Sequence, residues 1–374
     1  MSSLLDRQLP DPSFIERDPD KVTREMVASY EQLAGKTLYP AQIERLQISV
    51  VSYRESLMRE AIQDAAMLNL VRYSRAPMLD NLGENIGVAR LSAVAAITTL
   101  TFTFDPVPAV AAVLPQGTQV SGGGMVFATD ADVIVAAGAA SVDATASCIT
   151  PGADGNGYLA GQINQLVGAV VGLSVASVAN TTTTADGAED EDDDNYRERI
   201  VLAPGQFSTA GSIAAYKFFA RSAHQSIKDV AISVADGGRI TLYPLVDTGL
   251  PSDAIKAAVA AACTAEQVRP LSDTVLVDDP VQVDWRIGAQ LVLYAGVAAT
   301  PVLAQAVNAA NAYYAARQQL LGVDIVRTQI IAALSVAGVY DVILSEPAAD
   351  RVLEDHEWGN CTGVDISISD AVAG

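Results

Sequence analysis

This sequence is poor in the residues that much enzyme chemistry needs. It has two histidines and three cysteines in 374 residues. Cys148, Cys263 and Cys361 lie far apart, are odd in number and have no metal-type spacing. They are expected as free thiols of a reducing compartment, not as a disulfide scaffold. Basic residues are scarce too. Against 44 Asp+Glu stand 23 Lys+Arg, a formal net charge of −21. Neutralising phosphates takes clustered Lys and Arg, so this balance argues against a nucleic-acid partner and against an anionic membrane. The longest apolar stretch, Val167–Ala179, is too short to span a bilayer and is diluted by Gly and Ser. Met1–Pro12 contains Asp6, Asp11 and two prolines without an apolar core, so no signal peptide is expected. Aromatic residues make up 6%, which leaves the core to Ala, Val, Ile and Leu.

Half of the chain is nevertheless apolar (50%), only 18% is charged, and mean hydropathy is +0.25. That composition folds. At roughly 150 residues per domain it should fold as two or three units. The expected class is multi-domain α+β: an N-terminal helical region at 1–90, a central small β domain at 91–185, an acidic linker leading into a helix at 186–200, a first α/β unit at 201–285, and a second α/β unit with a C-terminal tail at 286–374.

The helical region begins with a candidate helix over Asp20–Ala34, stopped by Gly35. A second starts at Pro40 and runs without Gly or Pro to about Arg75. Ile43, Leu46, Val50, Tyr53 and Leu57 recur at steps of three and four, a heptad-like seam that shifts afterwards to Ile62, Ala65 and Leu68. Such a stripe either packs on the first helix or projects from its own domain to meet another chain. Pro77 is expected to close the region. Gly83 and Gly87 are expected as cap and turn glycines.

From Leu91 the grammar changes. Thr99–Phe104 alternates strictly between Thr and apolar residues, the period of a half-buried strand. Gly117–Val120, Val126–Thr129, Val133–Val135 and Ser141–Ala146 are short strand candidates, with a turn at Gly122-Gly123-Gly124 and a glycine-rich loop at Pro151–Gly161. Ile163–Val178 should hold the last strands. Asn180–Asp194 is packed with like charges and is expected to stay solvated.

The C-terminal part mixes both periods. Ser212 and Ser252 are candidate N-caps, with helices reaching Ser222 and Ala265. Strands are expected at Asp229–Val234, Arg239–Leu245, Thr274–Val277, Val281–Leu293 and Asp341–Leu344. Thr300 should cap a helix over Val302–Leu320, and Arg327–Leu334 should be a short one. A weak repeat links Ile227–Ser233 (IKDVAIS) to Val339–Ser345 (VYDVILS), with Ala220 and Ala332 in matching places before them. It suggests an internal duplication of α/β units.

No catalytic, cofactor or metal constellation stands out. Gly35-Lys36-Thr37 lacks the earlier glycine of a phosphate loop, since Tyr30 stands there. Asp190, Asp192 and Asp194 alternate like a calcium loop, but Asn195 and Val201 occupy the places of the required Gly and Glu. The glycine loops lack the strand–loop–helix order of a dinucleotide site. His224 and His356 are isolated in sequence. Carboxylates are abundant, but nothing selects a catalytic pair. Trp285, Trp358 and Tyr313-Tyr314 are better explained as packing or interface anchors than as a sugar platform.

The order of motifs resembles the baseplate J-like proteins of contractile phage tails. Tyr39-Pro40-Ala41-Gln42, Ile62–Ala66, Leu79-Asp80-Asn81-Leu82-Gly83 and Gly87-Val88-Ala89-Arg90 are similar to the family's N-terminal pattern. Pro115-Gln116-Gly117-Thr118, Val126–Thr129, Gly155-Asn156-Gly157 and Gly161-Gln162-Ile163 look like its β elements. Gly187–Asp193 followed by Tyr196–Ile200 resembles its acidic run ending in "R.RI". Thr209-Ala210-Gly211-Ser212 with Ala215-Tyr216, Val268–Leu271 with Asp273, and Gly338–Val342 match its later motifs. Where the family has a Pro-Gly turn before Asp229, this chain has Gln225-Ser226.

The resemblance implies a non-enzymatic structural subunit of the baseplate wedge, with no cofactor. Such proteins pair within a wedge, and six wedges ring the hub and spike proteins. They contact a smaller sheath-proximal wedge protein and a tail-fibre-linked partner, and relay host contact to sheath contraction. Localisation would be the virion tail baseplate, after assembly in the host bacterial cytoplasm. The seam Ile43, Leu46, Val50, Tyr53 and Leu57 is the candidate partner interface. The same role in a phage-tail-like injection system or bacteriocin fits equally. A tail-associated glycan-cleaving enzyme is a further alternative, motivated by the acidic composition and the β region.

Overall fold

The computed structural model describes residues 5, 9–207, 211–235, 237–265, 268, 270 and 273–372. Thr209 and Ala210 of one family-like motif, and Arg269 and Leu271 of another, lie outside the described residues. The architecture is α+β and multi-domain, and the chain divides into two compact units. One holds residues 1–90 and 192–201; the other holds 91–191 and 202–374.

The first unit is helical. Helix α1 (Pro19–Ala34) is capped by the Asp18 side chain and ends at Gly35, whose φ of 66° only glycine adopts readily. Helix α2 spans Ile43–Met67, shorter at both ends than expected. Local sequence would tolerate more turns, but the backbone beyond has other partners: the Arg197 guanidinium takes the carbonyls of Val71 and Ser74. Pro77 opens an element rather than closing one. It caps α3 (Met78–Glu84), so the Leu79–Gly83 motif is helix. Gly83 is therefore no cap. It is buried against Tyr196, and an added Cβ would collide with the phenol oxygen. Tyr196 belongs to α4 (Asp193–Leu202) and donates its hydroxyl to the Val88 carbonyl at 2.7 Å.

The second unit begins with an antiparallel sheet that nearly closes into a barrel. Its strands are β1 (Ile97–Phe104), β3 (Gln119–Gly122), β4 (Met125–Thr129), β6 (Ser141–Cys148), β7 (Gln165–Val167) and β8 (Val175–Asn180). They lie in the order β7-β3-β4-β6-β1-β8. A ribbon of β2 (Ala112–Leu114) and β5 (Val133–Val135) adds to it. Leu100, Phe102 and Phe104 of β1 point inward with Val120, Phe127 and Ile163, as the alternation predicts. Asn180 seals the seam. Buried at the end of β8, it accepts the Ile163 N–H on Oδ1 at 2.9 Å and donates to the carbonyls of Leu159 and Thr182.

Two three-stranded sheets follow. The first has β9 (Ile227–Ala235), β10 (Arg239–Val246) and β11 (Thr274–Val277), covered on one face by α5 (Ile213–Ala223) and α6 (Asp253–Thr264). Ser212 and Ser252 cap these helices as expected. The second has β12 (Val281–Tyr294), β13 (Val339–Glu346) and β14 (Glu357–Val372), covered by α7 (Ala299–Gln318) and α8 (Arg327–Leu334). Thr300 is not the cap of α7; Ala298 holds that place, without a side-chain hydrogen bond. In each sheet the central strand has one antiparallel and one parallel neighbour.

Candidate partner-binding surface

The seam on α2 depends on how α2 meets α1. Thr23 bonds Ser52 at 3.0 Å, Lys36 pairs with Glu44 and Arg17 with Glu60. Partner numbers fall along α2 as they rise along α1, so the helices are antiparallel. The chain before α1 is held by Gln63, which donates to the Pro12 carbonyl at 2.7 Å and accepts the Phe14 N–H at 2.9 Å. Arg59 reaches the Glu16 carbonyl and Glu55.

The face of α2 turned to these neighbours is therefore mostly polar. Ser52 and Gln63 are its buried residues. The apolar seam lies elsewhere on the helix. Ile43, Leu46, Val50, Tyr53 and Leu57 are all exposed, by 48 to 71%. Val51, Met58 and Ile62 extend the same uncovered surface. None of the five is buried against the first helix, although Tyr53 and Leu57 border the groove beside it. This groove of about 380 Å³ runs between α1 and α2, with Arg17, Tyr53, Leu57 and Glu60 among its lining. The arrangement is a supported helix that spends its polar side on its own domain and presents its apolar side outward.

The acidic run is a loop whose carboxylates are mostly exposed, as its charge suggested, but they are also hydrogen-bonded in place. Within the second unit, Glu189 accepts the Ala153 N–H, Asp190 that of Ala93, and Glu191, itself buried, that of Leu91. Within the first unit, Asp192 accepts the Asn195 N–H at the start of α4, Asp193 binds Arg90 at 2.7 Å, and Asp194 pairs with Arg197. A carboxylate that accepts a backbone N–H stabilises its charge without a metal. Among the described residues no cluster of three His, Cys, Asp or Glu is placed to hold a metal ion. No helix among them is long and apolar enough to cross a membrane.

The two histidines are apart. His224 is buried, with Nδ1 2.7 Å from the Ser226 hydroxyl and Nε2 3.3 Å from the Asp186 carbonyl. Gln225, at the departure from the family pattern, donates to the carbonyls of Ser92 and Glu189. These contacts fasten the loop after β8 to the first α/β unit. His356 lies against the Tyr243 ring, 5.0 Å between centroids.

The sequence matches four profiles of one family in order along the chain. The baseplate J-like N-terminal domain matches residues 46–96, the barrel domain 99–187, the central domain 208–278 and the C-terminal domain 286–367. The chain belongs to the baseplate J-like family. A curated relative, "Baseplate protein J" of Escherichia phage P2, is 36% identical over 192 residues, covering 51% of this chain and 63% of that protein. The match thus spans less than two thirds of the relative's own length. A chain in the cryo-EM structure of the anti-feeding prophage baseplate aligns over 92% of this chain and 90% of its own, at 11% identity and a TM-score of 0.44. Within this J-like chain, Leu46, Val50, Tyr53 and Leu57 fall inside the matched N-terminal domain, and Ile43 just before it.

Proposed function

We propose that this chain is a structural, non-enzymatic subunit of a contractile-tail baseplate wedge. Copies pair within a wedge, six wedges ring the hub, and the ring relays host contact to sheath contraction. A smaller sheath-proximal wedge protein and a tail-fibre-linked protein are its expected neighbours. The family's domains, in sequence from residue 46 to 367, are the observation that carries this reading. The uncovered seam of α2 supports it, because burying five such side chains on a neighbour stabilises assembly in a way that folding of the single chain does not use. The chain acts in the virion and is assembled in the bacterial host.

The test is co-expression with the adjacent tail proteins of its own gene cluster, followed by size-exclusion chromatography and electron microscopy. The expected result is a defined complex containing this chain. A chain that stays monomeric beside every one of them would overturn the proposal.

A further inference from the structure

Both α/β units reserve one sheet face for helices and leave the other bare of them. In the first unit the bare face is used. Asp229, Ala231, Tyr243 and Leu245 lie on it, and Leu321 and Trp358 of the second unit pack there. Ala231 is left 6% exposed and Leu245 0%. Asp229 fixes the joint: Oδ1 accepts the Val230 N–H at 2.8 Å, and Oδ2 accepts the Leu321 N–H at 3.1 Å. The Trp358 indole donates to the Gln318 carbonyl at 2.7 Å.

The second unit repeats these features at the matching residues. Its β13 pairs with β12 through a register shift that skips Tyr340, just as β9 pairs with β10 through one that skips Lys228. Asp341 Oδ1 accepts the Val342 N–H at 2.8 Å, the counterpart of Asp229 with Val230. Alternation from the helix-facing Leu291, Val342 and Leu344 puts Gln290, Val292, Asp341 and Ile343 on the helix-free face. They are the counterparts of Tyr243, Leu245, Asp229 and Ala231. Here, however, Asp341 and Gln290 are exposed, and Ile343 is 50% exposed.

We infer that this face of the second sheet, centred on Ile343, Val292 and Asp341, docks another protein chain that brings a loop N–H to Asp341 and a bulky apolar side chain over Ile343. The inference rests on the baseplate reading, which supplies such neighbours. A second copy cannot offer the pair that fills the first face, because Leu321 and Trp358 are already buried in their own joint. Asp341 and Asp365 make the face electronegative, so the occupant is neutral or basic where it touches.

The experiment is maleimide labelling of the full chain carrying Ile343→Cys and Cys361→Ser, both as the isolated protein and within purified tail particles. Labelling is expected to be at least tenfold slower in the particles and to recover when they are dissociated. A second variant, Ile343→Asp, is expected to lower incorporation into particles at least tenfold with an unchanged melting temperature. Equal labelling in both states, or normal incorporation of Ile343→Asp, would overturn the inference. So would protection in the isolated chain that grows with concentration, which would assign the face to a second copy. Particles that lack the wild-type chain altogether would defeat the baseplate reading, and this inference with it, before any labelling is done.

Discussion

Lys228 and Tyr340 are the skipped residues of matching bulges in two separate sheets, each followed by an aspartate that accepts the next N–H. The sequence repeat that suggested an internal duplication is thus a repeat of local geometry. The two aspartates differ in what else they hold. Replacing Asp229 by Ala removes a bond to Leu321 and should cost about 1–2 kcal/mol in chemical denaturation. Asp341→Ala should stay within about 0.5 kcal/mol of wild type in the same measurement, because its side chain is exposed.

Trp358 should be the costliest single truncation in the C-terminal half. Trp358→Ala empties the joint between the α/β units and should lose about 3–5 kcal/mol by urea unfolding. Gly249 has a φ of 116°, and an added Cβ would stand 2.9 Å from the indole, so Gly249→Ala should destabilise the same joint. A wild-type melting curve for either variant would contradict the packing described.

Asn180→Ala should open the barrel seam. It leaves the buried Ile163 N–H without its acceptor and should cost about 1–3 kcal/mol. Hydrogen exchange should rise first at Leu159–Ile163 and along β8, while α1 and α2 keep their protection.

The helical first unit should weaken in acid. Lys21 hydrogen-bonds the Glu16 carboxylate, with the Asp18 N–H as a second donor, and holds its pKa down to about 2 from 4.5. Lys36 lowers Glu44, and Arg75 lowers Asp64. A carboxyl whose folded pKa is depressed stabilises the fold above its unfolded value and loses that contribution as pH falls through the folded one. For Glu16 the window runs from about 4.5 down to about 2. These groups sit at the surface, so the loss should be small and salt-sensitive. Thermal melts followed by circular dichroism between pH 5 and pH 2 at two salt concentrations should show it, and Glu16→Gln should flatten the profile.

Cys263 should be chemically silent in the folded chain. Burial pushes its thiol up to about 12, so almost no thiolate is present at neutral pH. With a chromogenic disulfide reagent at pH 8 it should react only on unfolding. Rapid reaction of Cys263 in native protein would show the first α/β core to be looser than described.

Much of the fold was legible because local pattern and tertiary fate agree. Thr99–Phe104, Thr274–Val277 and Arg327–Leu334 needed little more than periodicity and their flanking breakers. Two features share a cause, which is long-range partners that a local reading cannot see. The end of α2 is set beyond Met67 by Arg197, far along the chain. The acidic run, mostly exposed as its charge suggested, is in addition pinned by N–H groups from Leu91, Ala93 and Ala153. Strand β14 carries a local signal of its own, since Val364, Ile366 and Ile368 alternate with Asp365, Ser367 and Ser369. The candidate seam was visible as a heptad pattern. Its direction was not, because the packing face of α2 is built from Ser52 and Gln63, which periodicity of apolar residues does not register.

On the proposed function, the apolar seam of α2 serves neighbours and not its own fold. Its most direct test is the pair of variants Val50→Asp and Leu57→Asp, compared for thermal stability in isolation and for incorporation into tail particles by quantitative mass spectrometry. Melting temperatures should stay within a degree or two of wild type, with incorporation nearly abolished. Variants that enter particles at wild-type levels, or that lose folding and incorporation together, would contradict it.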